Sequence, residues 1–249
     1  MDTPFRPNHG VSTKPGQLHV VADSRQKIYK GDDSIEVLKA VCGEPRRLRF
    51  HYRNGLQICK VADALVKDAT DYEPLAATSR YNEEAKPSSV NHVRCGGIDE
   101  EASKIVERLD VQLKAYPKEF IGVVCPRRKE MLAVWDEIAK SSVAKRAVLQ
   151  QGTDLPSFDV DRPVLVSTLH AAKGVEFRAL HVAGCEFIKR FPHQRNAMYT
   201  AVTGAKTALS VYYSDDLPGY LESALRAVEP PRKTPKVGDV FQSKKKSKK

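Results

Sequence analysis

Apolar positions in the middle and later parts of the chain follow two patterns that alternate. Runs that are apolar at nearly every position predict strands buried on both faces; they occupy residues 120–125, 164–167, 179–183 and 209–213. Segments with apolar residues three and four positions apart predict amphipathic helices; they occupy residues 99–116, 129–139, 195–206 and 217–228. This alternation predicts an α/β fold whose parallel sheet is covered by helices on both sides.

The first part of the chain has a weaker pattern. Short apolar runs predict strands at residues 18–22 and 48–50, and helical spacing predicts helices at 34–41 and 55–67. Residues 68–98 contain many turn-forming residues and little periodicity, so we expect a loop or spacer there.

The two ends of the chain lack the features of a folded core. The first residues are rich in Pro, Gly and polar side chains, which predicts a flexible leader. Pro230 and Pro231 end the last predicted helix, and the Lys-rich residues that follow predict a disordered tail. The expected division is a leader at 1–17, the end of a first domain at 18–60, a second domain at 61–230 and the tail at 231–249.

Much of the positive charge lies in this tail. The 249 residues carry a formal net charge of +10, and residues 231–249 hold eight Lys or Arg and one acidic residue. The remaining residues carry only about +3, which is weak evidence that the folded part binds nucleic acid. The tail itself is open to three interpretations: a non-specific phosphate contact, a solvated extension or, in a cell with a nucleus, an import signal.

The composition favours a folded intracellular protein. Hydrophobic residues form 41% of the chain and charged residues 29%, which suits a buried core and excludes disorder throughout. The five cysteines are widely spaced without a Cys-x-x-Cys pair, so we expect reduced thiols and no metal site. The N-terminus has no apolar signal core, and no apolar run reaches the roughly 20 residues that cross a bilayer. We therefore expect a soluble, cytoplasmic protein without a membrane partner.

Polar residues follow the predicted strand 164–167 at defined spacing, in the sequence Thr168-Leu169-His170-Ala171-Ala172-Lys173-Gly174-Val175-Glu176-Phe177. Ligands of open α/β sheets bind beside the carboxyl ends of the strands. There Thr168 and His170 could hydrogen-bond a DNA phosphate, and Lys173 could neutralise one. Gly174 allows a backbone geometry that a side chain disfavours, and Glu176 could accept a hydrogen bond from a ribose hydroxyl or order the turn. An ordinary strand and turn with solvated polar side chains is the alternative.

This spacing resembles a motif of superfamily 1 DNA helicases of the UvrD/Rep type. The resemblance implies a RecA-like fold, in which Thr168, His170 and Lys173 contact DNA while Gly174 and Glu176 contact the nucleotide. In that family the motif couples the state of the nucleotide to the DNA strand.

Two stretches nearer the N-terminus resemble further motifs of the family, in the same order along the chain. Residues 20–29 resemble the motif whose glutamine senses the terminal phosphate, which assigns that role to Gln26 and a DNA contact to Tyr29. The next residues, Lys30-Gly31-Asp32-Asp33, depart from the family pattern. Residues 48–54 resemble the motif Leu-x-x-Asn-Tyr-Arg-Ser, in which Arg53 corresponds to an arginine that reaches the phosphates. Taken alone, Gln26 and Arg53 would be interpreted as solvated surface residues.

The last motif is incomplete. Residues 195–206 resemble the family pattern Arg-Arg-x-x-Tyr-Val-Ala-x-Thr-Arg-Ala-Lys, and Gly204 stands where the family has the arginine of Thr-Arg-Ala. The resemblance implies that this arginine stabilises charge on the transferred phosphate, and such arginines contribute roughly 10³–10⁵ to turnover in phosphoryl transfer. We expect Lys206, on the same predicted helix, to point elsewhere.

Two motifs of a complete motor do not occur in the 249 residues. There is no Gly-x-x-x-x-Gly-Lys-Ser/Thr phosphate loop, and no apolar strand ends in paired acids that could hold a metal. The resemblance therefore implies the C-terminal part of a helicase that moves along single-stranded DNA with ATP and unwinds it. We expect ATP and Mg²⁺ to bind only together with the missing motor domain, and the isolated chain to hydrolyse no ATP. A single-stranded DNA-binding module, the second subunit of a split helicase and an inactive structural remnant remain as alternatives.

Overall fold

Six parallel strands form one sheet in the described part of this computed structural model, which comprises residues 20, 26, 34–46, 48–67, 72–151, 159–188 and 192–229. In chain order they are β1 (Ser89–Arg94), β2 (Ile121–Cys125), β3 (Ala147–Leu149), β4 (Val164–Thr168), β5 (Phe177–Val182) and β6 (Ala205–Tyr213). Their order across the sheet is β1-β6-β5-β2-β4-β3. Since every neighbouring pair is parallel, the carboxyl ends of the strands meet at one edge and the amino ends at the other.

Helices cover both faces of this sheet. In chain order they are α1 (Ser34–Cys42), α2 (Leu56–Leu65), α3 (Leu75–Thr78), α4 (Ile98–Ala115), α5 (Arg128–Lys140), α6 (Pro192–Gly204) and α7 (Gly219–Arg226). Short 3-10 turns occupy Ala144–Arg146 and Cys185–Phe187. The arrangement confirms the predicted fold class, an α/β RecA-like fold with a parallel sheet flanked by helices.

Alternate residues of the central strand β2 belong to two separate cores. Val124 faces the core shared with α2, α6 and α7, whereas Ile121 and Val123 face the core shared with α4 and α5. All residues of β2 are buried, which explains why its sequence is apolar without interruption. Gly122 allows Leu180 to pack on the strand, because a Cβ at that position would lie 2.7 Å from Leu180 Cδ1.

Most elements predicted from the pattern are confirmed, with shifts of a few residues at their ends. The confirmed helices are those expected at 34–41, 55–67, 99–116, 129–139 and 217–228. The confirmed strands are those expected at 120–125, 164–167, 179–183 and 209–213. These are the elements that build the two cores, so burial and sequence pattern agree along them.

The prediction for the junction of α6 and β6 was wrong. The helix expected over 195–206 ends at Gly204, and β6 begins at the next residue. Ala205 and Thr207 are buried while Lys206 and Ala208 are half-buried, which is the two-residue period of a strand. Lys206 therefore lies on a strand.

Residues 48–50 do not form the expected buried strand. Leu48 is 81% exposed and Phe50 51% exposed, and beside them only His51 forms a single bridge, to Ser79. Val20, the described residue of the strand expected at 18–22, is 44% exposed and outside any strand. A short apolar run predicts burial only where another element packs on it, and at these positions that condition is not met.

The loop or spacer expected at 68–98 contains ordered elements, so that prediction was also wrong. It holds α3 and the edge strand β1. The residues of β1 are half-buried in the middle and exposed at the ends, so no continuous apolar run marks the strand. β3, at the opposite edge, was missed because three residues are too few to show a period.

Three expectations about chain organisation remain predictions. The leader at 1–17 and the tail at 231–249 lie outside the described residues. The boundary expected between residues 60 and 61 falls within α2, which packs against α6 and α7.

Candidate functional site

The connection between β4 and β5 runs from one edge of the sheet to the other. Thr168, the last residue of β4, is level with Cys125 at the end of β2, whereas Ile121 at the start of β2 is level with a residue inside β5. Strands rise about 3.3 Å per residue, so Thr168 and Glu176, which precedes β5, lie more than about 13 Å apart. We expected the whole motif at the carboxyl edge, and the structure places only its first residues there.

A tight turn holds the first part of the motif at the carboxyl edge. Thr168 Oγ1 accepts a hydrogen bond from Ala171 N at 3.3 Å, and the Thr168 carbonyl accepts one from Ala172 N at 3.0 Å. The hydroxyl of Thr168 retains its own proton for donation. Thr168 and His170 are half-buried and Lys173 is exposed, so three of the four side chains assigned to DNA lie within six residues at one edge.

Gly174 turns the chain from this edge towards β5. Its φ of +86° lies in the left-handed region that favours glycine. Val175 N donates a hydrogen bond to the Ala172 carbonyl at 3.0 Å and closes the turn. Backbone conformation accounts for this glycine, and its contact with a nucleotide stays a prediction.

Glu176 contacts two cations at the amino edge. Its Oε1 accepts a hydrogen bond from Arg53 Nη1 at 2.5 Å, and its Oε2 lies 3.2 Å from Lys206 Nζ. Arg53 and Glu176 are 123 positions apart in the sequence. The three side chains are 40%, 41% and 40% exposed, so solvent reaches the cluster. The structure thus brings together two of the residues assigned to the nucleotide and adds Lys206. We call these three residues the amino-edge cluster.

The charge of the amino-edge cluster follows from the pKa of its carboxyl group. Burial alone would raise the pKa of Glu176, but the hydrogen bonds and charges of Arg53 and Lys206 outweigh burial and lower that pKa below its ordinary value. Glu176 is therefore ionised at neutral pH, and the cluster carries one positive charge in excess. Exposed ion pairs stabilise a fold by only about 0–1 kcal/mol because water screens them. An excess charge open to solvent suits an anionic ligand.

The loop before α2 is fixed to the junction of α6 and β6. Asn54 is buried and donates two hydrogen bonds from Nδ2, to the carbonyls of Thr203 and Ala205, both at 2.7 Å. Gly55 N donates a third bond to the Lys206 carbonyl at 2.9 Å. Sequence reasoning missed Asn54, because its two partners are carbonyls 149 and 151 positions away in the sequence.

The same loop approaches β1 closely. A Cβ at position 55 would lie 2.1 Å from Ser88 Cβ, so Gly55 is required by space. Glu83 accepts hydrogen bonds from Leu56 N at the start of α2 and from Ser88 N at 2.7 Å. These bonds fix the start of α2 next to the amino-edge cluster.

Gly204 and Lys206 both face the end of the connection. A Cβ on Gly204 would lie 3.2 Å from the Val175 carbonyl oxygen, one residue before Glu176. Lys206 lies two residues later, as the second residue of β6, and its Nζ is 3.2 Å from Glu176 Oε2. The prediction that Lys206 points elsewhere was therefore wrong, because it assumed that the helix continues. The signal that could have identified Lys206 was its position two residues after the substituted glycine.

Of the two residues that the N-terminal motif assigns, the structure describes only Gln26. Gln26 is a half-buried residue in a 3-10 turn, and the residues on either side of it are outside the described ranges. Tyr29 also lies outside them. The phosphate contact of Gln26 and the DNA contact of Tyr29 stay predictions.

Three further expectations concern cysteines, metals and membranes. All five cysteines are free thiols, and Cys42 is the exposed one. In the described ranges no group of three or more His, Cys, Asp or Glu side chains could hold a metal ion. Of the helices that the structure describes, none has both the length and the apolar character needed to cross a bilayer.

Several solved structures are similar to part of this chain. The C-terminal domain of a possible DNA helicase from Lactobacillus plantarum WCFS1 is 16% identical, with 70% of this chain and 93% of that one covered and a TM-score of 0.49. The Sulfolobus solfataricus SWI2/SNF2 ATPase core in complex with dsDNA is 15% identical, with 76% and 38% covered and a TM-score of 0.43. Arterivirus nonstructural protein 10, a helicase solved with DNA, is 12% identical, with 69% and 35% covered and a TM-score of 0.38. At these TM-scores the likenesses carry no argument about function.

No curated protein matches the chain. One segment does match a known family: residues 163–212 fit the sequence model of the UvrD-like helicase C-terminal domain. The matched segment contains β4, β5, α6 and nearly all of β6, and so includes Thr168, Glu176, Gly204 and Lys206. Over these residues the match confirms the resemblance to UvrD-type helicases that the motifs predict.

Proposed function

We propose that this chain is the C-terminal part of an ATP-dependent DNA helicase, in which a nucleotide site and a single-stranded DNA site are coupled. The observation that carries the proposal is the pair of Arg53 and Glu176. Two separate motifs assign these residues to the nucleotide, and their side chains share a hydrogen bond of 2.5 Å across 123 positions of sequence. An accidental resemblance at either motif gives no reason for the two side chains to meet.

The connection between β4 and β5 is the coupling element in this proposal. Its first part presents Thr168, His170 and Lys173 to a DNA phosphate, and its end presents Glu176 to the nucleotide. Between them, Leu169 is buried in the core and Ala172 and Val175 pack against it, so the connection is attached to the sheet at several points. Closure of a nucleotide cleft on Glu176 would thus shift the grip on DNA at the opposite edge.

ATP would bind between this chain and a domain that carries a phosphate loop, on the same polypeptide or separately encoded. Arg53 would contact its phosphates, Glu176 a ribose hydroxyl, and Gln26 the terminal phosphate. Mg²⁺ would be held by that other domain. Because Gly204 provides no charge, we expect the isolated chain to release no radiolabelled phosphate from ATP above a blank without protein. Release above the blank would contradict this part of the proposal.

Binding of single-stranded DNA tests the carboxyl edge. Fluorescence anisotropy of a labelled oligonucleotide, measured over a range of salt concentrations, gives the slope of log K against log salt. If Lys173 neutralises one phosphate, Lys173→Ala should reduce that slope by about 0.7. Lys114→Ala is the matched control, since Lys114 is exposed on α4 and pairs with Asp110 at 2.5 Å. An equal slope for both variants would show that Lys173 does not contact a DNA phosphate.

The ATPase of a phosphate-loop domain distinguishes the remaining alternatives. A helicase portion should raise the DNA-stimulated turnover of such a domain when the two are combined. A chain that binds single-stranded DNA but leaves this turnover unchanged would be a binding module. A folded chain that binds no DNA even at low salt would be a structural remnant.

A further inference from the structure

Lys206 and Arg53 approach the same carboxylate from two sides. Lys206 Nζ lies 3.2 Å from Glu176 Oε2, and Arg53 Nη1 lies 2.5 Å from Oε1, so each oxygen has its own cation. Building on the proposed function, we propose that Lys206 and Arg53 together bind the di- or triphosphate part of a nucleotide, and that Glu176 competes with the phosphates for both cations.

The backbone around the two cations is fixed before any ligand arrives. Gly55 N, two residues after Arg53, donates a hydrogen bond to the Lys206 carbonyl at 2.9 Å. Asn54 ties the same loop to Thr203 and Ala205 on either side of the α6 and β6 junction. A site whose backbone is already ordered loses less entropy when a ligand binds. The backbone segments that carry the two cations are therefore held together.

The charges favour a polyphosphate over a ligand with a single negative charge. Glu176 neutralises only one of the two cations, whereas a triphosphate provides several charges. Arginine offers a planar fork of donors and lysine a point charge, and both types of group bind phosphate oxygens. The ion pairs with Glu176 are about 40% exposed, and solvent-screened pairs are weak, so phosphates can replace the carboxylate.

Position 204 leaves room for this arrangement. A side chain there would be directed at the Val175 carbonyl, with its Cβ at 3.2 Å, and would lie beside Glu176. Glycine removes that side chain, and Lys206 contacts Glu176 without a neighbour from position 204. Lys206 therefore supplies a positive charge close to the place where Gly204 supplies none.

A titration of the full chain with inorganic tripolyphosphate, followed by ¹H–¹⁵N NMR, tests the proposal residue by residue. The amides of Gly55 and Glu176 report on the amino-edge cluster, while the amides of residues 243–249 report separately on the Lys-rich tail. We expect the dissociation constant read at Gly55 and Glu176 to rise about fivefold or more in Lys206→Met, and to fall about twofold or more in Glu176→Gln. Lys114→Met should leave both signals as in the unmodified chain, because its ion pair with Asp110 lies on α4.

The outcomes separate this proposal from the function on which it rests. Shifts confined to residues 243–249, or a dissociation constant in Lys206→Met within about twofold of the unmodified chain, would overturn the proposal. Glu176→Gln preserves side-chain size and supplies an independent test if Lys206→Met loses structure, which the rest of the spectrum would show. If the unmodified chain shows the tripolyphosphate shifts but does not bind single-stranded DNA, that result would count against the helicase function alone.

Discussion

Replacing Asn54 with alanine should release the loop that positions Arg53. Asn54 is 4% exposed, and its Nδ2 donates hydrogen bonds to the carbonyls of Thr203 and Ala205 at 2.7 Å each. A hydrogen bond contributes about 0.5–1.5 kcal/mol net, and a buried partner left without a donor costs about 1–3 kcal/mol. Two such bonds predict that the free energy of unfolding falls by about 2–4 kcal/mol in Asn54→Ala.

Urea unfolding followed by circular dichroism measures this loss. Asn82→Ala is the matched control, because Asn82 is exposed and its Oδ1 accepts one hydrogen bond, from Ala85 N at 2.9 Å. We expect that control to lose no more than about 0.5 kcal/mol. Asn54→Asp preserves the size of the side chain but directs a carboxylate at two carbonyls, so it should be at least as unstable as Asn54→Ala. Equal and small losses in Asn54→Ala and Asn82→Ala would refute the idea that Asn54 holds the loop.

Two further predictions concern the fold around the site. Gly55→Ala should lower the free energy of unfolding by about 1–3 kcal/mol, because its Cβ would lie 2.1 Å from Ser88 Cβ. Gly219→Ala, whose Cβ meets nothing within 4 Å, should lower it much less when both variants are measured by thermal unfolding. Matching midpoints for the two variants would show that Ser88 moves aside freely. Burial, with the nearby charges of Glu186 and Glu130, raises the pKa of Glu101 to about 7 from its ordinary 4.5. At Glu101 the native state therefore binds more protons than the unfolded state between these values, so the contribution of this residue to stability should fall as pH rises from 4.5 to 7. Glu101→Gln should flatten this pH dependence, whereas the control Glu107→Gln, at an exposed residue of the same helix, should not. An unchanged pH profile in Glu101→Gln would show that Glu101 does not cause the pH dependence.

The central strands and the long helices could be predicted from the sequence because their burial repeats along the chain. Every residue of β2 is buried, so the strand reads as an unbroken apolar run. The edge strand β1 is only half-buried, and it takes its place by pairing with β6 along six positions. That pairing is a property of the whole sheet, so the local pattern of residues 89–94 does not reveal it.

The residues of the candidate site were predictable to different degrees. Arg53 and Glu176 could be identified from their motifs, but their contact depends on the path of the chain between β4 and β5. Lys206 could not be placed, because Ala205 and Lys206 are good helix formers and continue the pattern of α6. The strand prevails there because Ala205 pairs with Phe177 on β5, so contacts between distant segments override local helix propensity.

The path of the connection also explains why the spacing within the motif is tight. The connection must cover more than about 13 Å between the edges of the sheet and also include the turn after Thr168. The turns that follow Thr168 are closed by hydrogen bonds from Ala172 N to the Thr168 carbonyl and from Val175 N to the Ala172 carbonyl. These turns therefore carry the chain over most of this distance. Only a few extended residues remain to reach Glu176, and each contributes about 3.3 Å. Loss of a single residue between Gly174 and Glu176 would therefore withdraw the carboxylate by about the length of its hydrogen bond to Arg53, while leaving Thr168 in place. Changing the length of the connection should therefore act on the Glu176 end of the motif and leave the Thr168 end unchanged.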